Sequence, residues 1–155
     1  MKKSIVILAA GLAIGFSGGG VLPVSASSSS TRNKIMKNVS PSVRKDDSLS
    51  FKVKSSGTTL KVYKIKGFRT WQYSSEYYLA VMRGLQKTDL SKYSQVSVSE
   101  DSERYTFDTA TFKSLELSNK QIKKLGYYDD SAGEPDYDSF MEEYVQPKAL
   151  SYKEK

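Results

Sequence analysis

The chain has 155 residues, a formal net charge of +7 and 38% hydrophobic residues, with no cysteine and no histidine. The missing cysteine excludes disulfides, thiol nucleophiles and a lipidated amino-terminal cysteine, and the missing histidine excludes serine–histidine triads and the commonest zinc ligand. An enzyme made from this chain would have carboxylates, a lysine-activated serine or tyrosine to work with, and no phosphate-cradling glycine loop, nucleophile elbow or metalloprotease helix is present, so no catalytic residue, metal or cofactor is assigned.

Met1 to Ala26 reads as a secretion signal. Lys2 and Lys3 form a positive head, Ser4 to Phe16 an apolar stretch, and Val24-Ser25-Ala26 a small-residue cleavage site. The competing reading is an uncleaved anchor, and Ser17-Gly18-Gly19-Gly20 and Pro23 interrupt the stretch that would have to span. Cleavage would leave 129 residues, and no second apolar span follows. An exported domain without disulfides points to a Gram-positive source. Neither a sorting motif nor an apolar tail precedes Lys155, so the expectation is a secreted protein, at most loosely held at the cell wall.

Charge is unevenly spread: Ser27 to Lys92 carries +10, and Tyr93 to Lys155 carries −5. Outside such a cell the abundant polyanions are teichoic acids and the membrane surface, which a basic patch attracts at modest salt. Alternatively, the two halves neutralise each other across the fold.

Residues 27–47 read as a polar, largely disordered lead-in, because Pro41 interrupts the helical spacing of Ile35, Met36, Val39 and Val43. Residues 48–155 then form one domain. Its first element is a hairpin. Leu49, Phe51 and Val53 alternate with Ser50, Lys52 and Lys54, Ser55-Ser56-Gly57-Thr58 makes the turn, and Leu60 to Lys66 returns. The alternation slips after Val62, and a bulge near Tyr63 would bring Ile65 back to the core face. Lys52, Lys54, Lys61, Lys64 and Lys66 would then crowd one exposed side.

Phe68 to Tyr73 is expected to be a third strand, placing Trp71 and Tyr73 beside the lysines as an aromatic and basic platform for a phosphate-rich polymer or a glycan. Against this, strand lysines also keep sheet edges from pairing with other molecules, and tryptophan is often a core residue. Ser75 to Lys87 fits both a helix with Tyr78, Leu79, Met82 and Leu85 on one stripe and a strand, and the strand is favoured.

Phe68-Arg69-Thr70-Trp71-Gln72-Tyr73, after a lysine-rich strand and before a tyrosine-rich segment, resembles the F-R-G-T-W-x-x-Y element of small, uncharacterised exported proteins of lactic-acid bacteria. It lacks the glycine between Arg69 and Thr70, and Tyr73 comes one position early. The resemblance implies an extracellular or wall-associated β-rich domain and supplies no catalytic residues.

A second hairpin follows, with Val96 and Val98 alternating with serines, a polar turn at Ser99 to Glu103, and Tyr105 and Phe107 on the return. Phe112, Leu115 and Leu117 lead as a strand into a short helix capped at Ser118-Asn119, burying Ile122 and Leu125 and closed by Gly126. Asp129, Asp130, Glu134, Asp136 and Asp138 offer oxygen ligands for calcium, but their spacing does not reproduce the twelve-residue calcium loop, and a solvated loop is favoured. A helix over Tyr137 to Val145 completes the chain.

The expected fold is α+β: an antiparallel, β-rich small domain, a meander or partly open barrel, with two short carboxy-terminal helices. The expected role is non-catalytic binding of anionic polymer or glycan at the cell surface. Alternatives are an interaction factor for another exported protein and a carboxylate-based wall glycosidase. Nucleic acid is not an expected partner, because export and the absence of a binding motif oppose it.

Overall fold

The computed structural model describes residues 24–44, 49–67, 74–100 and 102–154. Its first hairpin follows from alternation. In β1 (Ser50–Ser56) Phe51 and Val53 are buried between exposed Ser50, Lys52 and Lys54, and in β2 (Thr59–Lys66) Leu60 and Val62 are buried. Gly57, at φ +58°, takes the first central position of the two-residue turn, where the strand twist calls for a positive φ. The expected bulge is present. Lys52 pairs with Tyr63 and Ser50 with Lys66, so β2 holds one extra residue, Lys64, at φ +56°. The insertion returns Ile65 to the core.

Two more strands form the second hairpin, β3 (Gln95–Ser99) and β4 (Glu103–Asp108), in antiparallel register with Val98 opposite Tyr105. Between the hairpins, α3 (Ser74–Gln86) is a helix, which corrects the strand reading of Ser75 to Lys87. The physical reason is burial on every side. Tyr77 through Met82 and Leu85 are all buried, so the apolar pattern has no exposed face from which a period is read. As a crossover, α3 lets β3 run parallel to β2, with Leu60 beside Val96 and Val62 beside Val98. The sheet is therefore mixed: five open strands in the order β1-β2-β3-β4-β7, with β7 at Ser151–Glu154, antiparallel except at β2–β3. The α+β class stands, with this parallel pair in place of a pure meander.

The final strand, β7 (Ser151–Glu154), pairs with β4 and has no counterpart in the sequence reading. The lead-in is also corrected. Val24–Asn38 forms α1, and Pro41 opens a second short helix, α2 (Pro41–Arg44), at a position where its missing N–H costs nothing. Ile35 and Val39 are 0% and 2% exposed, and each such burial contributes about 1.5–3 kcal/mol. Arg32 ties α1 to the sheet, donating from Nε to the Phe51 carbonyl at 3.1 Å with its guanidinium over the Phe51 ring. An apolar stripe of two or three residues is too short to read as a helix in isolation; packing against α3 and β1 supplies what propensity does not.

Beyond β4, Asp108 caps α4 (Thr109–Ser114), accepting from Thr111 N at 2.8 Å, so Phe112 lies in a helix rather than a strand. Gln86 Nε2 donates to the Phe112 and Leu115 carbonyls at 2.7 and 2.9 Å, and Lys113 Nζ returns to the carbonyls of Gln86 and Thr88, locking α4 to the end of α3. Ser118 caps α5 (Asn119–Lys124) as expected, and Gly126 ends it at φ +89°. Ile122 is buried, whereas Leu125 is 40% exposed. A small hairpin, β5 (Tyr128–Asp129) with β6 (Glu134–Pro135), leads to α6 (Tyr137–Ser139), which continues as π-helical turns over Phe140–Val145 and a 3-10 turn over Gln146–Lys148. One core joins the sheet's inner face to α1, α3, α4, α5 and the Phe140–Val145 turns.

Candidate functional site

Alternation puts β1 to β4 and β7 core residues on one face, so the intervening residues define the opposite face. The strand register arranges them in rows. One row runs Lys54, Lys61, Ser97, Thr106, Ser151. Two residues along, about 7 Å away, lie Lys52 beside Tyr63, then Ser99, Arg104 and Lys153. Lys66, paired with Ser50, extends the same side of the hairpin, and Lys64 is exposed at the bulge. A third row ends in Asp108, whose carboxylate already caps α4.

Seven cationic side chains thus share this region, with no carboxylate in the two central rows. The middle strand is low: Ser97 and Ser99 are 6% and 7% exposed between longer neighbours, and Thr106 donates to Ser97 Oγ at 3.4 Å. Lys54 Nζ lies 5.2 Å from the Tyr63 ring centroid, an arrangement that holds the ammonium over an apolar surface. Like charges gathered on one face sum to a positive potential over it.

Of the five lysines expected from the sequence, Lys52, Lys54 and Lys61 lie in the two rows, Lys66 pairs with Ser50 beyond them, and Lys64 is exposed at the bulge. Trp71 and Tyr73, together with the expected third strand, lie outside the described residues. Sequence reasoning missed Arg104 and Lys153, which join the face only because β7 pairs with β4, and it missed Tyr63 as a ring under Lys54.

The acidic half is arranged differently from a calcium loop. Asp129 Oδ1 accepts from the Ser131 hydroxyl at 2.5 Å and from the Ala132 and Ser131 amides at 3.2 and 2.9 Å, and these bonds hold its carboxyl below the usual range. Asp136 caps α6 through Ser139 N at 3.0 Å. Among the described residues, no three His, Cys, Asp or Glu side chains converge to hold a metal.

Other acids do meet. Glu100, Glu103, Asp138, Glu142 and Glu154 line a cavity of about 360 Å³ on the core-facing side of β4 and β7. There the Tyr105 and Tyr152 hydroxyls both donate to Glu103, at 3.1 and 3.0 Å. Burial first, and then the Glu103 carboxylate, pushes the Tyr152 phenol up to about 12 and raises Tyr105 as well. Deeper in, burial raises Tyr78, which donates to the Val98 carbonyl at 2.6 Å and meets the Tyr105 ring edge-on. As donors, Tyr105 and Tyr152 hold the Glu103 carboxylate and Tyr78 holds the Val98 carbonyl.

No helix of the described residues is long and apolar enough to cross a membrane. Comparison with protein-family models, with curated proteins and with solved structures returned no match.

Proposed function

We propose that this protein is secreted and binds anionic polymer, such as teichoic acid, at a Gram-positive cell surface through the outer face of its sheet. The observation that carries the proposal is the run of Lys52, Lys54, Lys61, Lys64, Lys66, Arg104 and Lys153 over one face whose central rows hold no carboxylate. Lys64 adds to it. A lysine occupies a backbone position that glycine adopts without steric cost, so a side chain is kept there despite local strain. The signal-like amino terminus and the likeness of Phe68 to Tyr73 to exported proteins of lactic-acid bacteria support the same location. The reading is non-catalytic.

A salt-gradient wall pull-down tests it. The protein should be retained on purified walls at low salt and released as the screening length falls from about 10 Å at 0.1 M to about 3 Å at 1 M. Changing Lys52, Lys54, Lys61, Arg104 and Lys153 to Gln should abolish retention without unfolding the chain. Equal retention on walls stripped of teichoic acid would overturn the proposal. The acidic cavity at Glu103 favours a second reading, an interaction factor for another exported protein with a basic surface. Saturable, salt-tolerant capture of one such protein, with no wall affinity, would establish that reading instead.

A further inference from the structure

The carboxy-terminal half carries more acidic than basic residues, yet the fold gathers three of its lysines around one concavity. Lys120, Lys123 and Lys124 of α5 line a cavity of about 610 Å³, whose other side is built by Tyr128 and Pro135 of the β5–β6 hairpin. The spacing explains the gathering: positions three and four apart on a helix are neighbours, so the three ammonium groups project toward one side. Two features fix the opposing wall. The Tyr128 hydroxyl donates to the Gly133 carbonyl at 2.6 Å, which holds the ring in place, and Lys123 Nζ sits 4.3 Å from that ring's centroid. At the rim, Asn119 Oδ1 accepts from Arg83 Nη2 at 2.7 Å, and Arg83 also donates to the Leu117 carbonyl, so α5 is anchored to α3.

Two nearby acids are turned to other tasks, while Glu116, Asp130 and Glu134 are exposed and do not line the cavity. Asp129 closes the hairpin turn and Asp136 caps α6. Neither lines the cavity. What the cavity offers a ligand is cationic donors on one wall and an aromatic ring with a proline on the other. A ring or chain of C–H groups bearing a phosphate suits that combination: the apolar part packs on Pro135 and beside the Tyr128 ring, one face of which carries Lys123 Nζ, while the phosphate oxygens accept from the lysines.

We propose that this cavity is a binding site for a phosphorylated sugar or polyol, distinct from the sheet face and independent of what that face binds. No covalent step is involved. The test is a titration of the isotopically labelled full chain, followed by amide NMR shifts, with glycerol 1-phosphate, glucose 6-phosphate, unphosphorylated glucose and inorganic phosphate as probes. The expected result is saturable shifts at residues 119–128 and 133–135 with the two phosphorylated probes, weaker shifts with phosphate, and none with glucose. Lys120→Gln with Lys124→Gln should weaken the phosphorylated probes roughly tenfold or more, as loss of charge-assisted bonds requires. Tyr128→Leu should weaken them while leaving the response to inorganic phosphate unchanged. The unperturbed amide spectrum elsewhere verifies that each variant is folded. Shifts confined to the sheet face, equal affinity in the double lysine variant, or equal response to glucose would each overturn the site.

Discussion

Gly84 of α3 faces Ile35 and Val39 of α1, and Gly84→Ala tests whether the amino-terminal helix belongs to the core. A Cβ at this position would stand 2.8 Å from the Ile35 carbonyl oxygen, 3.1 Å from Val39 Cγ2 and 3.3 Å from Ile35 Cγ2. The first contact is with backbone, which has no rotamer through which to yield. Two opposing effects decide the outcome. In an exposed helix the change from glycine to alanine stabilises by about 1 kcal/mol. At a packed crossing, overfilling costs about 1–3 kcal/mol, and here it also lifts two side chains that are 0% and 2% exposed. The clash with backbone puts the cost in the upper part of that range, about 2–3 kcal/mol, so packing wins for a net loss of about 1–2 kcal/mol. For a chain of this size that is a fall in Tm of roughly 3–8 °C. Thermal unfolding followed by circular dichroism reads it directly, and Ile35→Ala provides an independent check at about 2–5 kcal/mol. A Gly84→Ala protein as stable as the parent, or more so, would refute the packing of α1 on α3.

Ser118→Ala removes the cap of α5 and should cost about 1 kcal/mol in urea unfolding, with the m-value unchanged. Lys64→Gly relieves a left-handed backbone at the bulge, so stability should hold or rise by a few tenths of a kcal/mol while wall retention weakens. The phenols of Tyr78, Tyr105 and Tyr152 are raised in the folded state, so their contribution to stability is fully present below pH 10 and is lost as pH climbs through their folded values, about 12 for Tyr152. Absorbance titration should show these three, together with Tyr127 and Tyr137, whose phenols burial also raises, ionising late, whereas simultaneous ionisation of all eleven tyrosines near pH 10 would contradict the buried cluster.

Both hairpins were legible because each has one buried and one solvated face, so alternation carries the register. Even the bulge could be read, since Val62 and Ile65 cannot share a face without an extra residue between them. Ser118, Ile122 and Gly126 marked α5 through local chemistry alone. What escaped was whatever depends on partners distant in sequence. α3 hides its period because it is buried all round. α1 shows only a short stripe and gains its stability from Gly84 and Phe51. β7 has four residues, and without it Arg104 and Lys153 have no visible relation to the lysines of the first hairpin. The two cavities were beyond reach for the same reason, since Glu103 and Glu142, or Lys123 and Tyr128, meet only after the chain has turned.

The lone parallel pairing has a consequence for how the chain reaches this fold. β1–β2 and β3–β4 each join strands adjacent in sequence and need little loop entropy, but β2 and β3 join only across the chain from Lys66 to Gln95, which carries α3. The Val62–Val98 seam is thus a nonlocal step, as is the β4–β7 pairing of Thr106 with Ser151, and the helix that covers the seam is also the surface on which α1 closes. Substitutions at that seam will slow folding, whereas those in the outer rows of lysines will leave the rate untouched.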